Sequence, residues 1–277
     1  MQNEAVGNFE DLALAWKKYE DKILTPRLAL HKRMVVLSEM KPTGNMLDFG
    51  TGIGEPGITA ARTFESSRIY GVDVSEQMLL MANNRKLELA IDNFESSLKS
   101  VPILNFGSDF FSAAVSAFSL EYSKTIEEDL AEISRTVLNG SAMVVALWSE
   151  DARKNPFQWI IPTAIRSVTS ATMLAHDVFF KFSKDKTLHE KMKRHAFEFE
   201  EEERMSGTYH YDSLAEFWHL KKLLSPAVNA DLTQIDDPTR SQIIELINEK
   251  LSNWIKPNGR IELPFEAKLL KFRKNAA

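Results

Sequence analysis

The chain has 277 residues, 44% hydrophobic and 26% charged, enough to bury a sizeable core as one large domain or as one domain with an elaborate lid. A net charge of −5 without a basic block disfavours nucleic acid as a partner, and the lack of cysteine excludes disulfides, thiolate–zinc sites and thiol nucleophiles. The first thirty residues are charged throughout, so neither a signal peptide nor a membrane span is expected, and a reducing cytoplasmic location suits the chain.

Residues 8–40 read as two amphipathic helices, with Pro26 opening the second. Met46–Phe49 is predicted as a buried strand that breaks into a glycine-rich loop, followed by a helix from Glu55 to about Thr63. Arg68–Val72 is a second strand, after which Ser75 caps a helix running to about Glu88. Asp92–Glu95 reads as a short third strand. Phe111–Phe118 is small and apolar, as suits a strand buried on both faces. A helix over Thr125–Val137 is closed by an Asn139–Gly140 turn, and Ser141–Trp148 is another buried strand. This βαβαβ succession implies an α/β protein with a parallel sheet. Beyond Trp148 the alternation stops. Residues 151–195 and 212–256 read as helical, Glu198–Gly207 as a late strand or a helix extension, and Arg260–Arg273 as a final strand. The run Glu198–Glu203 is most simply a solvated edge or helix face.

The stretch NMLDFGTGIGEPG, Asn45–Gly57, carries the chemistry. Five of the eleven glycines fall between Gly44 and Gly57, with Asp48 before them and a second acid, Asp73, ending the next strand. Gly52-Ile53-Gly54-Glu55-Pro56-Gly57 matches the dinucleotide fingerprint GxGxxG. A pyrophosphate, however, needs free backbone N–H groups at a positive helix N-terminus. Here Glu55 brings a like charge and Pro56 lacks an N–H. Two like charges near 4 Å repel by roughly 4 kcal/mol at an effective dielectric near 20. A nucleoside without phosphate escapes both obstacles. S-adenosylmethionine is such a ligand: Asp48 would face its ammonium group, Asp73 its ribose diol, and Gly50, Gly52 and Gly54 would let the backbone pass close. Taken singly, Asp48 is equally a strand-end turn acid and Asp73 a helix N-terminal acid.

LDFGTGIGEPGITAA, YGVDVSEQMLLMA, AVSAFSLEYS and EISRTVLNGSAMVVALW resemble class I S-adenosylmethionine-dependent methyltransferases, nearest the ubiquinone/menaquinone-biosynthesis-like branch. The resemblance implies a Rossmann-like class I methyltransferase fold: a mostly parallel seven-stranded sheet with helical lid insertions. It divides the chain into an N-terminal helical cap (1–40), the cofactor-binding core (41–150), a helical lid with one late strand (151–259) and a final strand returning to the sheet (260–277). It further implies Asp48, Gly50, Thr51, Gly52 and Gly54 around the methionine part, and Asp73 on the ribose. Val74 and Met78 would pack near adenine, Ser116–Leu120 would run beneath the sulfonium, and Trp16 and Tyr19 would close over the cofactor. Ser97 stands nearest the position where the family usually has an adenine-binding acid, and Phe111-Ser112 replaces the usual Phe-Asp.

Methyl transfer from a sulfonium is an in-line displacement with an activated leaving group, so the protein mainly aligns the reactants in a dry site. No metal-ligand pattern is present, and none is required. For a phenol, hydroquinone or acidic carbon, one base would help. Among six histidines and several tyrosines the candidates are His210 (in YHYDS), His176 (in the aromatic LAHDVFF) and Tyr122 after the fourth strand. Each also reads as an exposed, capping or packing residue. Phe157, Trp159, Phe179, Phe180, Phe182, Phe217 and Trp218, with Met173 and Leu174, suggest a small apolar or aromatic methyl acceptor, or simply a lid with its own core. Two readings compete with a methyltransferase: a non-catalytic or regulatory protein on a decayed cofactor fold, and a nicotinamide dehydrogenase. Oligomeric state is not legible.

Overall fold

The computed structural model describes residues 19–99, 104–151, 153–170, 181–182, 187–224 and 231–275. Trp16, Met173, Leu174, His176, Phe179 and Phe180 therefore lie outside the described residues. Seven strands form one sheet: β1 (Asn45–Phe49), β2 (Arg68–Asp73), β3 (Phe94–Leu98), β4 (Phe111–Ala117), β5 (Val137–Trp148), β6 (Phe197–Tyr211) and β7 (Ile261–Lys274). Their spatial order is β3-β2-β1-β4-β5-β7-β6. Strands β1 to β5 pair in parallel, and β7 runs antiparallel to β5. This is the mostly parallel, Rossmann-like sheet of the class I methyltransferase fold, and it reverses direction of winding between β1 and β4.

The helices are α1 (Leu28–Leu37), α2 (Gly57–Thr63), α3 (Glu76–Glu88), α4 (Ile126–Thr136), α5 (Pro156–Val168), α6 (Thr187–Arg194), α7 (Leu214–Leu224) and α8 (Asp237–Leu251). Two compact units result. Unit 1 comprises Met1–Arg27, Ser149–Lys181 and Ser206–Glu266; unit 2 comprises Leu28–Trp148, Phe182–Met205 and Ala267–Ala277. The sequence-based division differs: α1 belongs with the sheet unit rather than with a separate cap, and so do α6 and the first half of β6.

In unit 2 the central strands are buried because both faces are covered. Every residue of β4 but its last is buried, and its run of Ser and Ala leaves room for close helix packing. The core joins Leu47, Phe49, Phe111, Leu130, Ile133, Val145, Phe197 and Phe272. Ser75 caps α3 as expected, its Oγ accepting from the Met78 amide at 3.3 Å.

Two elements depart from expectation. The third strand starts at Phe94 rather than Asp92. Asn93 is occupied instead as a latch, its side-chain amide donating to the carbonyls of Ala61, Phe64 and Ser67. The Asn139–Gly140 pair lies inside β5, where Gly140 at φ +80° sits at the irregularity between the Phe111–Val137 and Ala113–Ala142 pairs. Of the two readings of EFEEEER, the late strand is the one found, and its acids are largely paired. Glu200 takes both ends of the Arg273 guanidinium (2.7 and 2.8 Å), Glu203 takes Arg33, and Lys271 meets Glu39 at 2.5 Å and Glu201 at 3.3 Å. The expected solvated edge is thus found on the outermost strand, its mostly exposed acids tied into a charge ladder.

In unit 1, α5 packs against α8, and Asn155 joins the chain ends of this unit by donating to the Ser149 and Glu266 carbonyls and accepting from the Glu266 amide.

Candidate functional site

The site is built at the carboxyl ends of β1, β2 and β4, where a doubly wound sheet opens a crevice. After β1 the chain makes two further sheet-like bonds, Gly50 and Thr51 amides to the Val72 carbonyl, and then turns. Gly50, Gly52 and Gly54 all have positive φ (+73°, +53° and +98°), a conformation that side chains resist. Their surroundings differ. A Cβ on Gly50 would meet the Ser119 side chain at 2.3 Å, whereas a Cβ on Gly52 would meet nothing within 4 Å. Gly52 is therefore the point of the loop that faces open space.

Asp48 lies fully buried beneath this loop. Its Oδ2 accepts from the Thr51 hydroxyl at 2.6 Å and the Gly57 amide at 2.8 Å, which fixes the loop to the start of α2. Its Oδ1 has no hydrogen-bond partner among the described residues. Burial pushes the carboxyl up to about 7, against the two donors, and the charges of Glu55 and Asp73 push the same way. Thr51 is buried with its hydroxyl turned inward to Asp48. Asp48 and Thr51 thus shape the loop from below rather than line its open side.

Asp73 ends β2 in a half-buried position. One oxygen accepts from the Gly52 amide at 2.8 Å and the other from the Ser75 amide at 3.0 Å. A carboxylate offers about four lone-pair sites, so each oxygen keeps one for a ligand. Around it stand exposed Val74, half-buried Met78 and exposed Leu98, the last paired in register with Asp73. Leu98 was missed from sequence; it lies one residue beyond Ser97, which is exposed and pairs with Val72.

Glu55 is not the obstacle that its position in the sequence suggests. Arg85 on α3 clamps it, Nη2 to Oε1 at 3.0 Å, while Nη1 donates to the Ile53 carbonyl at 2.7 Å. The other oxygen caps α2 through the Thr59 amide and hydroxyl. Of the two objections to a diphosphate, the missing N–H of Pro56 survives and the free charge does not.

The fourth-strand segment also turns inward. Ser116 is buried and shares a 2.6 Å hydrogen bond with Ser119, whose hydroxyl reaches the Phe49 carbonyl at 2.9 Å. Between them Phe118 adopts φ +54° and stacks on Trp148, ring centroids 3.9 Å apart. No spacing signal announces this pair. Lys99 and Asp129 form a buried ion pair that sequence reading also missed, with Ser123 and Thr125 satisfying the carboxylate and the Phe49 ring 4.5 Å below the ammonium.

The proposed bases fare differently. His210 is exposed on β6, 3.9 Å from Glu262, and belongs to unit 1. Tyr122 is exposed on the 3-10 turn after β4, in unit 2. Tyr19 lies in unit 1, its ring 5.5 Å from that of His219. Among the described residues no group of three or more histidine and acidic side chains is placed to hold a metal ion, and no helix is long and apolar enough to cross a membrane.

Sheet order places the chain in the Rossmann-like class I methyltransferase fold, with the acid–glycine–acid loop at the ends of its first two strands. Residues 46–140 match a family model described as a methyltransferase domain. Among solved structures, the YcgJ protein from Bacillus subtilis is similar at 16% identity, covering 89% of this chain and 98% of that one, with a TM-score of 0.60. Phosphoethanolamine N-methyltransferase 2 of Haemonchus contortus, in complex with phosphomonomethylethanolamine and S-adenosylhomocysteine, is 16% identical over 98% of this chain and 61% of that one (TM-score 0.55). The [4+2]-cyclase SpnF is 17% identical over 89% and 81% (TM-score 0.52). A search of curated proteins returns no match.

Proposed function

We propose that the protein transfers the methyl group of S-adenosylmethionine to carbon or oxygen of a small, apolar or aromatic acceptor in the cytoplasm. The observation that carries this reading is the pairing of Asp73 with the Gly52 amide: it sets a half-buried carboxylate with spare lone pairs beside the one loop glycine that faces open space. Asp73 would hold the ribose hydroxyls, with Val74, Met78 and Leu98 offering apolar surface to the adenine. The Gly50–Gly54 backbone would approach the amino-acid part. Asp48 would attract its ammonium from beneath the loop, and its unpartnered Oδ1 fits a site completed by a cation. Bound there, the cofactor supplies an electrophilic methyl group on a good leaving group. The Phe118–Trp148 stack supplies an apolar wall that keeps water from it.

The Haemonchus enzyme's complex with S-adenosylhomocysteine supports this choice of cofactor. The inferred quinone-biosynthesis kinship and the roles of His210, His176 and Tyr122 as base stand as proposals of the same reading. Calorimetric titration with S-adenosylhomocysteine tests it first, and the absence of binding at millimolar concentration defeats it. Mass spectrometry of cell extract incubated with the protein and methyl-labelled cofactor then finds the acceptor. Binding without label transfer would favour a non-methylating role for the fold.

A further inference from the structure

Strand β3 reaches the candidate site with little of its own to hold it there. It is an outermost strand of the sheet, only five residues long, and exposed at three of them. Short exposed strand ends of this kind open locally. Leu98, its last residue, is exposed and stands in register opposite Asp73. One residue further on, the chain is anchored twice through Lys99. The Lys99 amide donates to the Asp73 carbonyl at 2.7 Å, which extends the ladder by one bond. The Lys99 side chain is buried where that of Leu98 is exposed, as alternation along a strand requires, and its ammonium donates to Asp129 in the first turn of α4.

The receiving end of this tether is itself fixed. Ser123 donates to one oxygen of Asp129 at 2.6 Å, and the Thr125 hydroxyl to the other at 3.3 Å. The Asp129 amide closes the turn on the Thr125 carbonyl at 2.9 Å, and the ring of Phe49, the last residue of β1, lies 4.5 Å from the ammonium. A buried ion pair is a poor source of stability as such. Desolvation offsets most of the attraction, and apolar side chains of similar volume often serve as well. What the pair adds is one geometry. An apolar contact tolerates sliding, whereas a lysine bound to a carboxylate that two hydroxyls orient has a single seat.

We propose that Lys99 is a positioning residue for the nucleoside of S-adenosylmethionine: its tether to Asp129 fixes the end of β3 and so sets Leu98 beside Asp73 as the wall for the adenine. The assignment rests on the methyl-donor reading of Asp73. Lys99 touches no ligand in this account. It acts through the backbone it shares with Leu98, on the face of the strand turned away from the site.

The test separates position from stability. The double variant Lys99→Met with Asp129→Leu replaces the pair by two apolar side chains, and its urea midpoint should lie near that of the parent. Its affinity for S-adenosylhomocysteine, by calorimetry, should nevertheless fall about tenfold or more. Leu98→Ala should cost the parent about fivefold in the same affinity and cost the double variant nothing further, because Lys99 acts through Leu98. A double variant that folds and binds as tightly as the parent overturns the proposal, and so do equal Leu98→Ala losses in both backgrounds. Hydrogen exchange on the unaltered full chain decides even if the double variant does not fold: the Lys99 amide should exchange as slowly as the amides inside β2, and rapid exchange there overturns the tether. A parent protein that binds no S-adenosylhomocysteine defeats the methyl-donor reading, and this assignment with it. A parent that binds, beside a double variant that binds equally well, defeats this assignment alone.

Discussion

Arg85 holds Glu55 against α2: one guanidinium nitrogen reaches the carboxylate at 3.0 Å and the other the Ile53 carbonyl at 2.7 Å, with both side chains nearly buried. The acid in the GxGxxG stretch is therefore neutralised within the protein. Pro56, which lacks an N–H, is what remains against a diphosphate. Glu55→Gln is accordingly expected to leave NAD binding undetectable by calorimetry, and tight NAD binding by the variant would show that charge was the barrier after all. Arg85→Ala removes the closest cation from a sheltered carboxylate, leaving it Thr59 and the His31 ring at 3.8 Å, and should cost about 2–3 kcal/mol in urea unfolding.

Asp48 links loop geometry to pH. Its carboxyl ionises near pH 7 in the fold and near 3.8 as a free side chain. The raised value means that the native state holds a proton that the unfolded chain has already lost between those limits. Its contribution to stability is therefore whole below about pH 4, falls as pH rises, and is gone above about pH 7, a total of up to roughly 4 kcal/mol. Asp48→Asn should remove this slope, so that the variant gains on the parent in melting temperature from pH 5 to pH 8. The same variant should bind S-adenosylhomocysteine more weakly at pH 8, where the parent carries the charge. A parallel pH profile for both proteins would contradict the first expectation.

The glycines are expected to separate fold from binding. Gly50→Ala places a methyl 2.3 Å from Ser119 at positive φ and should destabilise by about 2–4 kcal/mol in chemical unfolding. Gly52→Ala meets open space and should cost only the roughly 1 kcal/mol of its left-handed backbone. Its methyl would stand where a ligand is proposed to lie, so cofactor affinity should drop tenfold or more by calorimetry. An unchanged affinity would move the ligand elsewhere.

Lys99 and Asp129 are both buried, so removing one strands the other. Asp129→Leu should cost about 3–5 kcal/mol, and Lys99→Met about the same. The double variant, with two apolar side chains facing each other, should recover most of the loss. Additive losses, read as urea midpoints, would argue that the two residues act separately.

Much of this architecture was legible because periodicity and turn chemistry report local backbone faithfully. The run of small residues in Phe111–Phe118, the Ser75 cap and the acid ending RIYGVD each placed an element within a residue or so. The errors arose where a side chain is committed over a distance. Asn93 is spent on three carbonyls of an earlier turn, so the strand starts later than its neighbours suggest. Glu55 looked repulsive because Arg85 lies thirty residues away in sequence. The pairing of the exposed β6 acids is not legible in sequence because their partners Arg33, Lys271 and Arg273 come from the helix before the sheet and from its last strand. At the candidate site the same limit applies: spacing singles out Asp48, Asp73 and the glycines as candidates, but which of the two acids lies beneath the loop depends on burial. Phe118 and Leu98 carry no spacing signal of their own.

The charge ladder on β6 has a consequence for how copies of this protein meet. An outermost strand offers unpaired backbone groups to any neighbour, and a second sheet edge is the natural one. Here a docking strand would meet Glu198, Glu200, Glu201, Glu202 and Glu203, each already held by a basic side chain: Lys193, Arg273, Lys271, Arg204 and Arg33. A neighbouring strand would have to disturb these ion pairs before it could use the backbone of β6, so the ladder guards the edge by paired rather than by net charge.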